Sequence, residues 1–152
     1  MILMDVNVLV YAFRKDSTDH ARYRDWLQSI INSSEAYGIS DIVLSGFLRI
    51  VTHPKVFKRP STRSEAFKFV QAVRNQPNCR CIACGERNWE IFSELCHNAD
   101  ARGNLVADAF LAALAVESGC EWISTDRDFA RFPGLKWRHP LSGDAASNLQ
   151  AT

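Results

Sequence analysis

The chain has no apolar run near the ~18 residues that a membrane-spanning helix requires. Its first residues also lack the basic, apolar and small-residue order of a secretory leader, so a cytoplasmic protein is expected. Net charge is almost absent, at +1, and as a total it decides nothing. There is no glycine-rich phosphate loop, and the histidines at 20, 53, 97 and 139 lie too far apart in sequence to read as a ligand pair. Five cysteines, an odd number, do not make a disulfide framework and fit reduced thiols, expected to be buried.

What is present is enough for one folded domain: 152 residues, of which 47% are hydrophobic. The domain is expected over residues 1–141. Residues 142–152, rich in Gly, Ser, Asp, Asn and Gln, read as a flexible tail. Charge is uneven along the chain. Arg49, His53, Lys55, Lys58, Arg59 and Arg63 form one basic stretch, and Arg127, Arg131, Lys136, Arg138 and His139 form another.

Periodicity and punctuation predict an alternation of strands and helices. A strand over 2–4 runs into Asp5, and an apolar helix follows over 6–13. Helices are expected over 20–31, with Ala21, Tyr23, Trp26 and Leu27 inward, and over 40–51, with Ile42, Val43, Phe47 and Leu48 inward. The second of these should stop before His53-Pro54. Thr62-Arg-Ser-Glu65 has capping-box spacing and opens a helix to about residue 74. A strand over 79–83, a helix over 86–98, a helix over 105–117 closed by Gly119, a strand over 121–124, a helical turn over 128–132 and an edge strand over 135–137 complete the chain. This order predicts an α/β fold, an α/β/α sandwich on a largely parallel central sheet.

Three aspartates stand where a carboxylate is costly. Asp5 ends the first apolar strand, Asp126 follows Trp122-Ile-Ser-Thr, and Asp108 is the one charged residue between Gly103 and Glu117. Burying a carboxylate costs several kcal/mol unless a cation or hydrogen bonds replace its water, so three of them point to a shared cation. Oxygen ligands favour a hard divalent ion. Asp5 and Asp126 both fall at carboxyl ends of predicted parallel strands, where ligands of such sheets gather, although each also suits plain helix N-capping.

The motifs Asp5-Val-Asn-Val-Leu-Val-Tyr-Ala, Leu48-Arg-Ile-Val-Thr-His-Pro, Arg102-Gly-Asn-Leu-Val-Ala-Asp-Ala-Phe-Leu and Thr125-Asp-Arg-Asp-Phe-Ala-Arg-Phe-Pro-Gly-Leu occur in this order. Together they resemble the PIN-domain ribonucleases, and more narrowly the VapC toxins of bacterial toxin–antitoxin pairs. The resemblance covers residues 1 to about 141. It implies a PIN-like sheet flanked by helices, Mg²⁺ or Mn²⁺ held by acidic residues, and endonucleolytic RNA cleavage that inhibits translation and growth. It also implies a small VapB-type antitoxin, with a homodimer or a hetero-oligomer as the assembly. Asp5, Asp108 and Asp126 match the family's metal-binding and catalytic acids, and Asp128 an additional catalytic acid. Gly46 stands where the family usually has a glutamate, and Asp41, five residues away and about 140° round a helix, is a poor substitute.

Asn7 and Thr125 adjoin the acids and are expected to contact a phosphate oxygen or a metal-bound water, or else to cap. Arg49, Arg102, Arg127 and Arg131 are candidates for the RNA backbone. An apolar groove beside the second helix would suit an antitoxin helix. Zinc at Cys79-Arg-Cys81-Ile-Ala-Cys84 with Cys96-His97 is disfavoured by irregular spacing. A dehalogenase-type phosphatase would want an aspartate where Asn7 stands. The competing functional reading is a PIN-like RNA- or partner-binding module whose catalysis has weakened, consistent with Gly46.

Overall fold

The structure is a computed structural model in which residues 1–143 are described; residues 144–152, most of the expected tail, lie outside that range. Five strands form one sheet: β1 (Ile2–Met4), β2 (Tyr37–Ile39), β3 (Cys79–Cys81), β4 (Glu121–Ile123) and β5 (Trp137–Arg138). Their spatial order is β3-β2-β1-β4-β5, and every neighbouring pair is parallel. Six helices flank the sheet: α1 (Val6–Phe13), α2 (His20–Asn32), α3 (Asp41–Val51), α4 (Arg63–Arg74), α5 (Asn88–Asn98) and α6 (Asn104–Ser118). A 3₁₀ turn spans Arg127–Arg131. Among the described residues no helix is long and apolar enough to cross a membrane.

The predicted α/β architecture is what forms, because parallel strands need crossovers, and the sequence supplies a pair of α-helices for each of the first three and the 3₁₀ turn for the last, from β4 to β5. β1 lies at the centre, paired with β2 on one side and β4 on the other, and its residues Leu3 and Met4 are fully buried. The core joins them to Tyr37, Phe47, Leu114, Trp122 and Phe129. Burying each such side chain stabilises the fold by roughly 1.5–3 kcal/mol before the entropy of ordering is counted. Thr62 and Glu65 form the expected capping box, and Gly119 ends α6 in the left-handed conformation at φ 67°.

Some boundaries differ from the sequence reading. β2 carries no sequence signal: three residues are too few to show alternation. Gly38 at its middle is needed because a Cβ there would come within 3.1 Å of the Ile2 carbonyl oxygen. β3 stops at Cys81, two residues early, and β5 begins at Trp137, where the register opposite Trp122 fixes it. Ile42, expected inward, is 45% exposed, because α3 buries the stripe Val43, Leu44, Phe47 and Val51 instead. Ala21 is likewise exposed. All five cysteines are free as expected, but only Cys120 is buried. Cys81 and Cys84 are exposed, so burial does not explain those thiols.

Candidate active site

Asp5 follows the last residue of β1, and its backbone N–H continues the ladder by donating to the Ile123 carbonyl, 2.9 Å. Its Oδ1 accepts the Val6 N–H at 2.7 Å and caps α1. Its Oδ2 accepts from the Ser124 hydroxyl at 2.7 Å and from Asn7 Nδ2 at 3.3 Å. Asp126 stands in the equivalent place after β4, where its Oδ1 accepts the Asp128 N–H at 2.9 Å and caps the 3₁₀ turn. Capping and site membership therefore coexist, because a cap occupies one carboxylate oxygen and leaves the other.

Asp108 reaches the same place from α6. It accepts no hydrogen bond from any described residue, and its pKa is raised to about 6. Burial is the main cause, followed by the negative charges of Asp126 and Asp128. Asp5 is also raised to about 6, by burial first, against the lowering effect of its Ser124 and Val6 hydrogen bonds, with Asp108 and Asp126 adding to the rise. The four carboxylates thus share one field. Among the described residues, however, no three His, Cys, Asp or Glu side chains form a group that could hold a metal ion as they stand. The donors are all oxygens, which suits a hard divalent cation, and mutual repulsion opposes a closed ligand set without one. Cys79, Cys81, Cys84, Cys96 and His97 form no such group either.

The sequence pattern of the PIN domain matches residues 2–135. The chain belongs to the PIN-domain family. Within that family it groups with the VapC ribonucleases. It is 47% identical over 143 residues to Ribonuclease VapC43 of Mycobacterium tuberculosis, covering 94% of this chain and 97% of that one. It is 40% identical over 140 residues to Ribonuclease VapC25 of the same species, covering 92% and 99%. Among solved structures, the fold resembles VapBC2 from Rickettsia felis bound to a promoter DNA fragment, with a TM-score of 0.66 at 20% identity over 91% of this chain and 98% of that one. It also resembles Mycobacterium tuberculosis VapC20, a sarcin–ricin-loop-cleaving toxin, with a TM-score of 0.65 at 15% identity over 90% and 99%.

Around the acids of this PIN domain, Asn7 acts as a strut. Its Nδ2 donates to Asp5 and to Ser124 Oγ at 3.2 Å, and its Oδ1 accepts the Thr125 N–H at 3.2 Å. Both ends of the Asn7 amide are therefore engaged with the protein, and Thr125 takes part through its backbone. Ser124, to which the sequence assigned no role, is the hub. Fully buried, its hydroxyl donates to Asp5 and accepts from Asn7 and from the Asp126 N–H at 3.0 Å. A serine after a strand is too common to reveal this; only the pairing of β1 with β4 does. Arg102, ahead of α6, is exposed and reaches Asp100 at 3.4 Å, while Arg127 and Arg131 are exposed on the 3₁₀ turn. Arg49 is exposed in the last turn of α3, about 13 Å of helix rise beyond Ser40 and the strand ends. Asp41 turns to Arg74, 3.2 Å away. Gly46 faces Val6: a Cβ there would stand 3.1 Å from Val6 Cγ2, one residue from Asp5.

Proposed function

We propose that Asp5, Asp108, Asp126 and Asp128 are the hydrolytic centre of this VapC ribonuclease toxin, acting as a Mg²⁺- or Mn²⁺-dependent endoribonuclease. The observation that carries this reading is Asp108: a carboxylate without a hydrogen-bond donor, on an apolar helix, whose strongest charged neighbours are two more carboxylates. A binding module gains nothing from such repulsion. Asp5, Asp108 and Asp126 would hold the ion, with Asp128 beside them. When bound, a divalent cation lowers the pKa of a water and offsets charge on the phosphodiester.

The chain's own groups do the positioning. Ser124 and Asn7 fix the Asp5 carboxylate from two sides, so its free lone pairs keep one direction. Asp126 is held by its bond to the Asp128 N–H. Asp108, free of donors, keeps both carboxylate oxygens available to the ion and to the attacking water. Arg102, Arg127 and Arg131 supply positive charge for the RNA backbone. We further infer a VapB-type antitoxin as the partner that silences the toxin, and a homodimer or a complex with that antitoxin as its assembly.

The test is incubation of the purified protein with total bacterial RNA under Mg²⁺, Mn²⁺ or EDTA, beside an Asp126→Asn variant, with mapping of new ends. Discrete metal-dependent cuts that the variant does not make are expected. Folded protein that makes no cut under any metal would leave a binding module in place of the nuclease.

A further inference from the structure

Asp126 and Asp128 are reached from the end of β4 through Ser124 and Thr125, so the orientation of one planar peptide unit bears on where these acids stand. The unit joining Ser124 to Thr125 is held at both ends. Its N–H, that of Thr125, donates to Asn7 Oδ1 at 3.2 Å, and its carbonyl, that of Ser124, accepts the Trp137 indole N–H at 3.0 Å.

The second of these bonds is not one that the sheet supplies. β4 and β5 pair with Trp122 opposite Trp137 and Ile123 opposite Arg138. The Trp122 N–H donates to the Lys136 carbonyl at 2.7 Å, and the Ser124 N–H to the Arg138 carbonyl at 3.2 Å. Continued one step further, this parallel ladder would bring the N–H of residue 140 to the Ser124 carbonyl. Residue 140 is a proline, which has no N–H to give. Ser124 is fully buried, so its carbonyl needs a donor from the protein. The indole of the half-buried Trp137, carried on the same edge strand, replaces the missing bond. Loosening Ser124 would reach two acids at once, because its hydroxyl donates to Asp5 Oδ2 at 2.7 Å and accepts the Asp126 N–H at 3.0 Å.

We propose that Trp137 is a positioning residue for the acidic centre: through the Ser124 carbonyl it sets Asp5 and Asp126, in place of the ladder bond that Pro140 withholds. For its effect on cleavage the proposal rests on the reading of these acids as the hydrolytic centre. Because Trp137 acts through Ser124, its loss changes metal uptake and kcat and leaves KM for RNA alone.

The experiment compares wild type with Trp137→Phe, which keeps an aromatic ring and loses the donor, and with Trp137→Phe/Pro140→Ala, which returns a backbone N–H at residue 140. Each is the full chain, first shown to be folded by its melting temperature in EDTA. Three quantities are read: amide hydrogen exchange at Thr125 and Asp126 in EDTA, the Mg²⁺ concentration that half-saturates thermal stabilisation, and kcat and KM on an RNA oligonucleotide spanning a mapped cut. In Trp137→Phe the two amides are expected to exchange about tenfold faster while the Leu3 amide of β1 keeps its wild-type rate. Half-saturation should need about tenfold more Mg²⁺ and kcat should fall about tenfold at unchanged KM, the lower end of what groups that orient metal ligands contribute. The double variant should recover all three. Wild-type exchange, half-saturation and kcat in Trp137→Phe overturn the proposal. So does a double variant as impaired as Trp137→Phe, because the lost donor is then not the cause. A lower melting temperature with faster exchange throughout the sheet, but wild-type half-saturation and kcat in the folded protein, makes Trp137 a packing residue and overturns it as well. If wild type gains no stability from Mg²⁺ and cuts no RNA, the hydrolytic reading falls, and exchange at Thr125 and Asp126 alone decides for or against Trp137.

Discussion

At Asp5 three donors meet the carboxylate, from Val6, Ser124 and Asn7, whereas Asp108 receives none from a described residue. Removing the charge at Asp108 therefore sacrifices no hydrogen bond and relieves repulsion from Asp126 and Asp128. Asp108→Asn is expected to abolish RNA cleavage and to raise the melting temperature in EDTA at pH 7.5 by roughly 1–3 °C, a discounted value because the side chain is only half-buried. A fall in melting temperature would mean that the carboxylate is structurally satisfied. Asp5 and Asp108 both have folded pKa values of about 6, above an ordinary value of 3.8, so the folded state holds protons that the unfolded state releases. Their contribution is fully present below about pH 4 and is lost as pH rises through 6. Metal-free protein should accordingly lose melting temperature between pH 5 and 7.5, and Mg²⁺ should restore more of it at 7.5 than at 5. The costly placement of these acids was legible in the sequence because each interrupts an apolar run. Ser124 was not, since its role exists only across 119 residues of chain separation from Asp5.

Between elements, α1 is fastened to the segment ahead of α4 by Arg14. This side chain is 10% exposed; it donates to the Arg59 carbonyl at 2.9 Å and Ser61 Oγ at 3.0 Å, pairs with Asp16 at 2.6 Å, and lies 4.0 Å over the Phe57 ring. Arg14→Ala should cost about 2–3 kcal/mol in chemical denaturation, more than Arg14→Lys, which keeps the charge and loses the planar fork. Equal losses for the two would show that the retained charge contributes nothing and that the planar fork alone holds the segment. Where α3 crosses α1, Gly46 lets the helices approach at Val6. Gly46→Glu puts an acid where the resemblance to VapC toxins implies one, at the cost of crowding Val6. We expect a lower melting temperature in EDTA and a larger gain from Mg²⁺ than wild type shows, read by thermal shift. Elements with caps and long periodicity, such as α4 and α6, were readable from sequence almost to the residue. β2 was not, because three residues around a glycine carry no pattern, and only the flanking β1 and β3 make them a strand.

For the molecule as a whole, the nuclease reading predicts that a bacterium cannot maintain the wild-type gene without its antitoxin yet tolerates Asp108→Asn. Plating efficiency after induction measures this, and equal plating of the two alleles would remove the toxic activity. Sequence motifs located the acids at both ends of the chain, but their meeting depends on β1 pairing with β4, Ile2 opposite Glu121. That pairing sets a clock on synthesis. Asp5 is made before its neighbours Ser124 and Asp126, which come more than a hundred residues later, and chain elongation at about 5–20 residues per second separates them by several seconds. Until the β4 segment has emerged and paired, the growing polypeptide carries Asp5 and Asp108 without Asp126 and Asp128, so a ribosome can finish most of the chain before the four acids can meet.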